Sequence, residues 1–408
     1  MSQVMRRLAG RYRPGDRGAV SALVAVLLSG GVLLGMGAIV VDAGQLYAER
    51  QQLLAGADAA AMSAAYSCAD SGTCPAAGTL AAAQQAANQN AADGTSNVSL
   101  LCGRVRGTGF GSCPRPANLT RCLGSPPDDL NFVQVATSTR TSSGKTVLPP
   151  AFAGALLGPS YQGTTVGACS QVSWGAAQQL DDVFPLMISR CAWQKATGNG
   201  DPSRFADPPS STWNPSDSLA ADIYQNPSVE GCPADGHGSL ALLLGESDST
   251  CTQALTSGTS AWGIPAVGIE AQSLSAWCTI RAFFKYLVDL ISELLKVIFG
   301  LQWAPTVRYL PVYDGVDSDT CVNRNGSCAF RYKIVGFAAF EMTGGAFGAA
   351  SFAAAVRPWG HTCYDTFLGI GIFNNKVPCF TGFFTKRKLS GTPVSSDDFG
   401  VTAFRQTG

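Results

Sequence analysis

Apolar positions fall into three rhythms along this chain. From Gly18 to Val41 a run of 24 residues, GAVSALVAVLLSGGVLLGMGAIVV, carries no charged side chain. As a helix rising 1.5 Å per residue it would reach about 36 Å, enough to cross a hydrocarbon core of about 30 Å. Past Asp42 the pattern thins to a stripe of mostly small side chains. Leu46, Leu53 and Ala60 recur every seven residues, with Ala57, Ala61 and Ala64 beside them. This spacing predicts that the helix continues to about Ala65. Its narrow face suits close packing on another helix or on the protein's own body. A second Ala-rich helix is predicted from Pro75 to Ala92, because Pro fits a first helical position and Asp93-Gly94 ends the pattern.

The second rhythm is β-like. Asn97–Cys102, Asn131–Arg140 and Thr164–Trp174 show strand composition with partial alternation. So do Thr306–Tyr313, Phe330–Met342, Thr366–Phe373 and Cys379–Thr385, which predict a β-rich core near the C-terminus. Between these groups, residues 176–279 are rich in Gly, Pro, Ser and Asp and read as turn material with little core. The third rhythm is a helix over 280–301. Arg281, Lys285, Asp289, Glu293 and Lys296 share one stripe while apolar residues cover most of the circumference. Five charges favour burial in the domain over an interfacial or spanning position.

Charge sharpens this layout. Arg6, Arg7, Arg11, Arg13 and Arg17 precede the uncharged run against a single Asp16. The positive-inside rule therefore places residues 1–17 in the cytoplasm and residues 42–408 outside. A cleaved signal peptide would have a shorter apolar region, so a retained single-pass anchor in a bacterial cell membrane is expected. Gly31 and Gly35 form one GxxxG, a candidate packing face for another membrane helix. All 14 Cys lie beyond residue 67, an even number on one side of the run, as disulfides in an oxidising space would require. Short loops nominate Cys68–Cys74, Cys321–Cys328 and Cys363–Cys379; the remaining connectivity is open.

Candidate chemistry is sparse. Lys+Arg and Asp+Glu are both 28, and a zero net charge argues against a nucleic-acid partner. The two histidines, His237 and His361, each sit in Gly- or Pro-rich turns without an acid partner, and no nucleophile elbow, P-loop or dinucleotide fingerprint occurs. Asp314, Asp317 and Asp319 lack the spacing of a calcium loop and read as a solvated acidic turn. The expectation is a non-enzyme with no catalytic residues, no metal and no cofactor.

The segment 17–65 resembles the N-terminal part of TadG- and TadE-like proteins of the tight-adherence (Flp) pilus-assembly system. The matching positions are Arg17-Gly18, Val41-Asp42, Gly44, Arg50, Leu53 and Ala57-Asp58-Ala59-Ala60. Weaker likeness to TadG-related proteins runs through 75–92, 183–193 and 310–345. Leu23 stands where prepilins carry Glu, which argues against processing after Gly18. The D-x-S-x-S metal site of von Willebrand A domains is missing, so metal-dependent adhesion is not implied. The resemblance implies a membrane-anchored, minor-pilin-like assembly component. Its partners would be pilins or other Tad components, or a second copy met through the N-terminal helix.

The expected fold is α+β. A single transmembrane helix (18–41) follows a basic segment (1–17) and continues into a pilin-like helix and small sheet (42–175). A disulfide-stapled region (176–279) and an amphipathic helix with a β-rich domain (280–408) complete it. Leu46, Leu53, Ala57 and Ala60 form the expected helix-interaction face. Gly18, Asp42, Gly44 and Asp58 are the family-marked positions, with Asp42 either at an interface or capping. The rival reading is a membrane-tethered extracellular protein that binds a surface or cell-wall ligand through aromatics such as Trp213, Trp262 and Trp359.

Overall fold

The computed structural model describes residues 16–29, 32–72, 74–106, 110–114, 122, 128–154, 158, 160–207, 216–224, 232, 240–243, 253–265, 307–317, 320–324, 327–347, 350–352, 365–367, 370–372 and 379–407. The predicted helix 280–301 lies outside them, as do Cys363, His237, His361, Trp213, Trp359 and Asp319. The chain divides into two compact units. The first comprises Met1–Pro126, Phe132–Val172 and Gln406–Gly408, and the second Pro127–Asn131 with Ser173–Arg405.

Mixed α+β content is present, but the transmembrane helix is not. Among the described residues no helix is long and apolar enough to cross a membrane. The uncharged run is shared between α1 (Asp16–Ser29) and α2 (Val32–Ser71). At 14 residues α1 is about 21 Å long, short of a hydrocarbon core of about 30 Å. α2 has 40 residues but meets Asp42, Glu49 and Arg50 soon after its apolar start.

In the first unit, α2 extends to Ser71, beyond the expected end. Disulfide Cys68–Cys74 closes the turn into α3 (Ala76–Gln89). Gly94, at φ 72°, supplies the left-handed turn that leads out to β1 (Asn97–Arg104). β1 pairs antiparallel with β2 (Asn131–Ser138), from Asn97 opposite Ser138 to Arg104 opposite Phe132. Gln84 ties α3 to this sheet: its Nε2 donates to the Ser96 carbonyl at 2.9 Å and its Oε1 accepts from the Val98 amide at 3.0 Å. Disulfides Cys102–Cys113 and Cys122–Cys169 add covalent closure, the latter on β3 (Gly167–Ala177). They raise stability chiefly by restricting the unfolded chain.

The second unit is dominated by a large sheet. Its strands are β4 (Gln179–Val183), β5 (Leu186–Ser189), β6 (Ala220–Tyr224), β7 (Leu240–Leu243), β8 (Gln253–Thr256), β9 (Ser260–Pro265), β10 (Val307–Val316), β11 (Val322–Arg324), β12 (Ser327–Phe347), β13 (Ala350–Phe352) and, after the separate pair β14 (Asp365–Phe367) and β15 (Ile370–Ile372), β16 (Cys379–Thr385). The order is β6-β16-β12-β9-β7-β5-β10-β4-β8, and β12 also pairs with β10. The path β12-β9-β7-β5-β10 thus returns on itself, with the 21-residue β12 long enough to pair with β9, β10 and β16 along its length. Here too β17 (Arg387–Ser390) lies parallel to β19 (Val401–Gln406), and β18 (Pro393–Val394) pairs with the end of β3.

Alternation along the central strands feeds two separate cores. Leu186, Ile188, Leu240, Val312, Ala338 and Phe340 belong to one; Met187, Ala241, Tyr313, Phe337 and Ala339 belong to the other. Successive residues point to opposite faces, so strands buried on both sides read as continuous apolar runs. Leu186, Met187, Ile188, Ile223, Leu240, Ala241 and Leu243 are core here, which corrects the expectation that 176–279 holds little core. The short, separated strands β6 and β7 gave too few positions for a period to stand out from their Gly- and Ser-rich surroundings. Helix α4 (Arg190–Thr197) is capped by Ser189, whose Oγ accepts from the Ala192 amide at 3.1 Å. Its Trp193 donates from Nε1 to the Phe399 carbonyl and meets the Phe399 ring edge-on at 4.9 Å. Gly336 makes room for that ring: a Cβ there would lie 2.4 Å from Phe399 Cδ2.

Candidate interaction surface on the N-terminal helix

The long helix α2 has two halves of different character. Toward its start, Met36, Ile39, Val40 and Val41 are exposed, Val40 at 70%. Val20, Leu23, Val24 and Val26 of α1 are exposed as well. Cβ atoms built on Gly18, Gly35, Gly37 and Gly44 would meet nothing within 4 Å. Scattered exposed apolar residues are ordinary, but four on each of these two helical segments are more than scatter.

From Leu53 onward the same helix is covered. Leu53, Ala57, Ala60, Ala61, Ala64, Ala65 and Cys68 are buried, with Ala57 and Ala60 at 0% exposure. Thr79, Ala83 and Ala87 of α3 are its buried counterpart. Gly56 sets the approach: a Cβ there would be 3.2 Å from the Ala87 carbonyl oxygen. Two polar contacts fix the register of the helix. Thr137 Oγ1 of β2 donates to the Leu53 carbonyl at 2.8 Å, and the Ala92 amide donates to Gln52 Oε1 at 3.0 Å. Of the face expected for interaction, Leu53, Ala57 and Ala60 therefore serve the protein's own packing, and Leu46 is half-buried. The surface open to partners is the earlier stretch, together with Tyr47, Leu54 and Tyr66.

Asp42 stands where one regime gives way to the other. Its carboxylate accepts the backbone amides of Ala151 at 2.7 Å, Phe152 at 3.0 and 3.2 Å, and Ala153. These amides open the helical turn at 153–154, just after Pro149-Pro150. Such N–H groups have no partner within their own helix, and a carboxylate satisfies both their hydrogen bonds and the local dipole. Asp42 thus caps a segment more than a hundred residues away in sequence, a role different from an interface contact or a cap on its own helix. Sequence showed the Asp but not the partner, because only the fold brings 151–153 to it. Asp58 is half-buried on the covered half of the helix.

Glu49, about two turns past Val41, was not singled out by sequence. Burial pushes its carboxyl above the ordinary range, the nearby Asp93 charge adds to the rise, and a hydrogen bond with Thr139 opposes it. Farther along the chain, disulfide Cys321–Cys328 is formed, and Cys379 is disulfide-bonded while Cys363 lies outside the described residues. The acidic turn residues Asp314 and Asp317 each face a guanidinium: Asp314 pairs with Arg190 at 2.8 Å, and Asp317 lies 4.0 Å from Arg331. Arg190 also reaches Asp397, and its hydrogen bond to Asp314 leads the effects that raise its pKa. Among the described residues no group of three or more His, Cys, Asp or Glu is placed to hold a metal.

Comparison with known proteins gives one match. Residues 18–67 fit the model of a family described as putative Flp pilus-assembly TadE/G-like. No curated protein and no solved structure matches the chain. The matched segment takes in the whole uncharged run, Asp42 and the buried Ala face, so it covers both halves of α2 and the carboxylate between them.

Proposed function

We propose that this chain is a structural, minor-pilin-like component of an Flp pilus-assembly apparatus, working by packing rather than by catalysis. The TadE/G-like segment supports involvement in Flp pilus assembly and association with the cell envelope. The observation that carries the finer role is the set of exposed apolar side chains at Val20, Leu23, Val24, Val26, Met36, Ile39, Val40 and Val41 inside that segment, next to a helix half already buried in its own unit. The covered half and the Asp42 clasp hold the helix; the uncovered half is left to meet pilins, other Tad components or a second copy. The disulfides support an oxidising, extracytoplasmic setting for the residues beyond Asp42.

Crosslinking in intact cells tests the proposal. A photoreactive residue at Val40 samples the exposed stretch, and one at Ala57 samples the buried face. Adducts with pilins or Tad platform proteins from Val40, with intramolecular products only from Ala57, are the expected result. If Val40 is labelled efficiently and yields only intramolecular or lipid adducts, the assembly role fails and a tethered binding protein becomes the better reading.

A further inference from the structure

We propose that the face formed by β9, β11 and the start of β12 binds a carboxylate-bearing glycan through Trp262, Arg324, Arg331 and Lys333. The strands build this face by alternation. Tyr332 and Ile334 are buried in the core, so Arg331 and Lys333 lie on the opposite side of β12, where both are exposed. In register, Arg331 stands opposite Trp262 and Lys333 opposite Ser260. The neighbouring hairpin of β11 and β12, closed by Cys321–Cys328, carries Arg324 to the indole: its guanidinium carbon is 4.1 Å from the ring centroid, and that of Arg331 is 5.9 Å away.

A guanidinium stacked on an indole is held in one orientation while its in-plane N–H donors stay free. Among the described residues Arg324 and Lys333 have no side-chain hydrogen bond or ion pair, and Asp317 stands at 4.0 Å from Arg331, the outer limit of an ion pair. Two guanidiniums thus stand over a half-buried indole, with Lys333 two residues along on the same face of β12, against one loosely placed acid. Carboxylates suit the guanidinium fork, which can bind them with two parallel hydrogen bonds. Arg331 and Lys333 are about 6.6 Å apart along the strand. That spread matches successive carboxylates of a polymer better than one small anion. The indole adds an apolar surface for a sugar ring. An oxidising compartment, required by the disulfides, favours acidic polysaccharide over nucleic acid as the polyanion. This site is separate from the N-terminal helix and does not depend on the assembly role, so each can fail alone.

The test is binding of the full-length protein to immobilised polygalacturonate, with neutral dextran and single-stranded DNA as comparisons, at low and near-physiological salt. The expected result is salt-sensitive binding to polygalacturonate and none to dextran. Trp262→Ala and the pair Arg324→Ala/Arg331→Ala should each weaken it by about tenfold or more, as lost stacking and charge-assisted contacts imply. Arg324→Lys should fall between, since it keeps the charge but loses the fork. Lys333→Ala, at an exposed position with no structural partner, is the variant least able to disturb folding and should weaken binding several-fold. Disulfide mapping of Cys321–Cys328 and a thermal melt check each variant. Equal binding to dextran, binding unchanged in Lys333→Ala and the double variant, or DNA binding of equal strength through the same residues would each overturn the proposal.

Discussion

The two units solve the problem of burial in opposite ways. In the first, a long helix is covered by side chains no larger than Leu, mostly Ala, and held by hydrogen bonds from polar side chains to distant backbone: Thr137 to Leu53, Gln52 to Ala92, Asp42 to 151–153. In the second, large rings fill two cores on a sheet covered on both faces: Tyr313, Tyr332, Phe340, Phe380, Phe384 and Phe399 are all almost wholly buried. Small side chains bury little area each, at about 25 cal/mol per Å². A helix packed through them depends on close backbone approach and on directional contacts. Aromatic cores bury much more area per residue, and their geometry follows from ring packing. The first strategy specifies where a helix sits; the second supplies mass.

This contrast is most sharply broken at Phe340. Its ring meets Phe380 edge-on at 5.1 Å and Phe384 at 4.8 Å, and no part of it is exposed. Phe340→Ala should cost about 3–5 kcal/mol, the range for truncating a fully buried ring that leaves a cavity. Chemical unfolding followed by hydrogen exchange checks it. Protection should fall in β10, β12 and β16, while amides of α2 and α3 keep theirs. A loss of less than about 1 kcal/mol would mean that the aromatic core relaxes around the gap and that mass is not what it supplies.

The same contrast explains what the sequence made legible. The Ala stripe of α2, the Pro75 start of the second helix and the long apolar β12 were readable because each repeats over enough residues to fix a period. The matched segment 18–67 was readable from a handful of spaced residues, above all Asp42 and Asp58. Three things were not. The uncharged run read as a spanning helix because composition records the absence of charge, whereas among the described residues no helix is long and apolar enough to span. The core at Leu186, Met187, Ile188, Leu240, Ala241 and Leu243 was hidden because four-residue strands carry no measurable period. Leu53, Ala57 and Ala60 read as a stripe for packing, but a stripe does not say whose surface it meets; α3 and β2 answer that only once the chain is folded.

Removing the Asp42 clasp should have a smaller effect, and one confined to the first unit. Asp42→Ala leaves the amides of 151–153 to water at an exposed position, so the expected cost is about 1 kcal/mol, that of a lost helix cap. Asp42→Asn keeps an acceptor and should cost less. The diagnostic readout is local: exchange at the Ala151, Phe152 and Ala153 amides should speed up in both variants, more in Asp42→Ala. Unchanged exchange there would mean that the clasp follows from the fold and does not hold it.

The smallest effect is a pH dependence at Glu49. Burial raises its carboxyl in the folded chain, with Asp93 adding to the rise and Thr139 opposing it, so the folded state holds the proton more tightly than the unfolded one does. Stability rises with pH only where the unfolded state binds more protons; here it binds fewer. The favourable contribution of the protonated group is therefore complete below the unfolded value of about 4.3 and is lost as pH climbs through the raised folded value. Glu49→Gln has no such proton to lose. Its melting temperature, compared with that of the parent protein from pH 4 to pH 7, should gain ground steadily as pH rises across that window and then level off. A difference that stays flat, or that shrinks with rising pH, would mean that the Thr139 hydrogen bond outweighs burial and that the carboxylate is at ease on the helix that carries the Ala face.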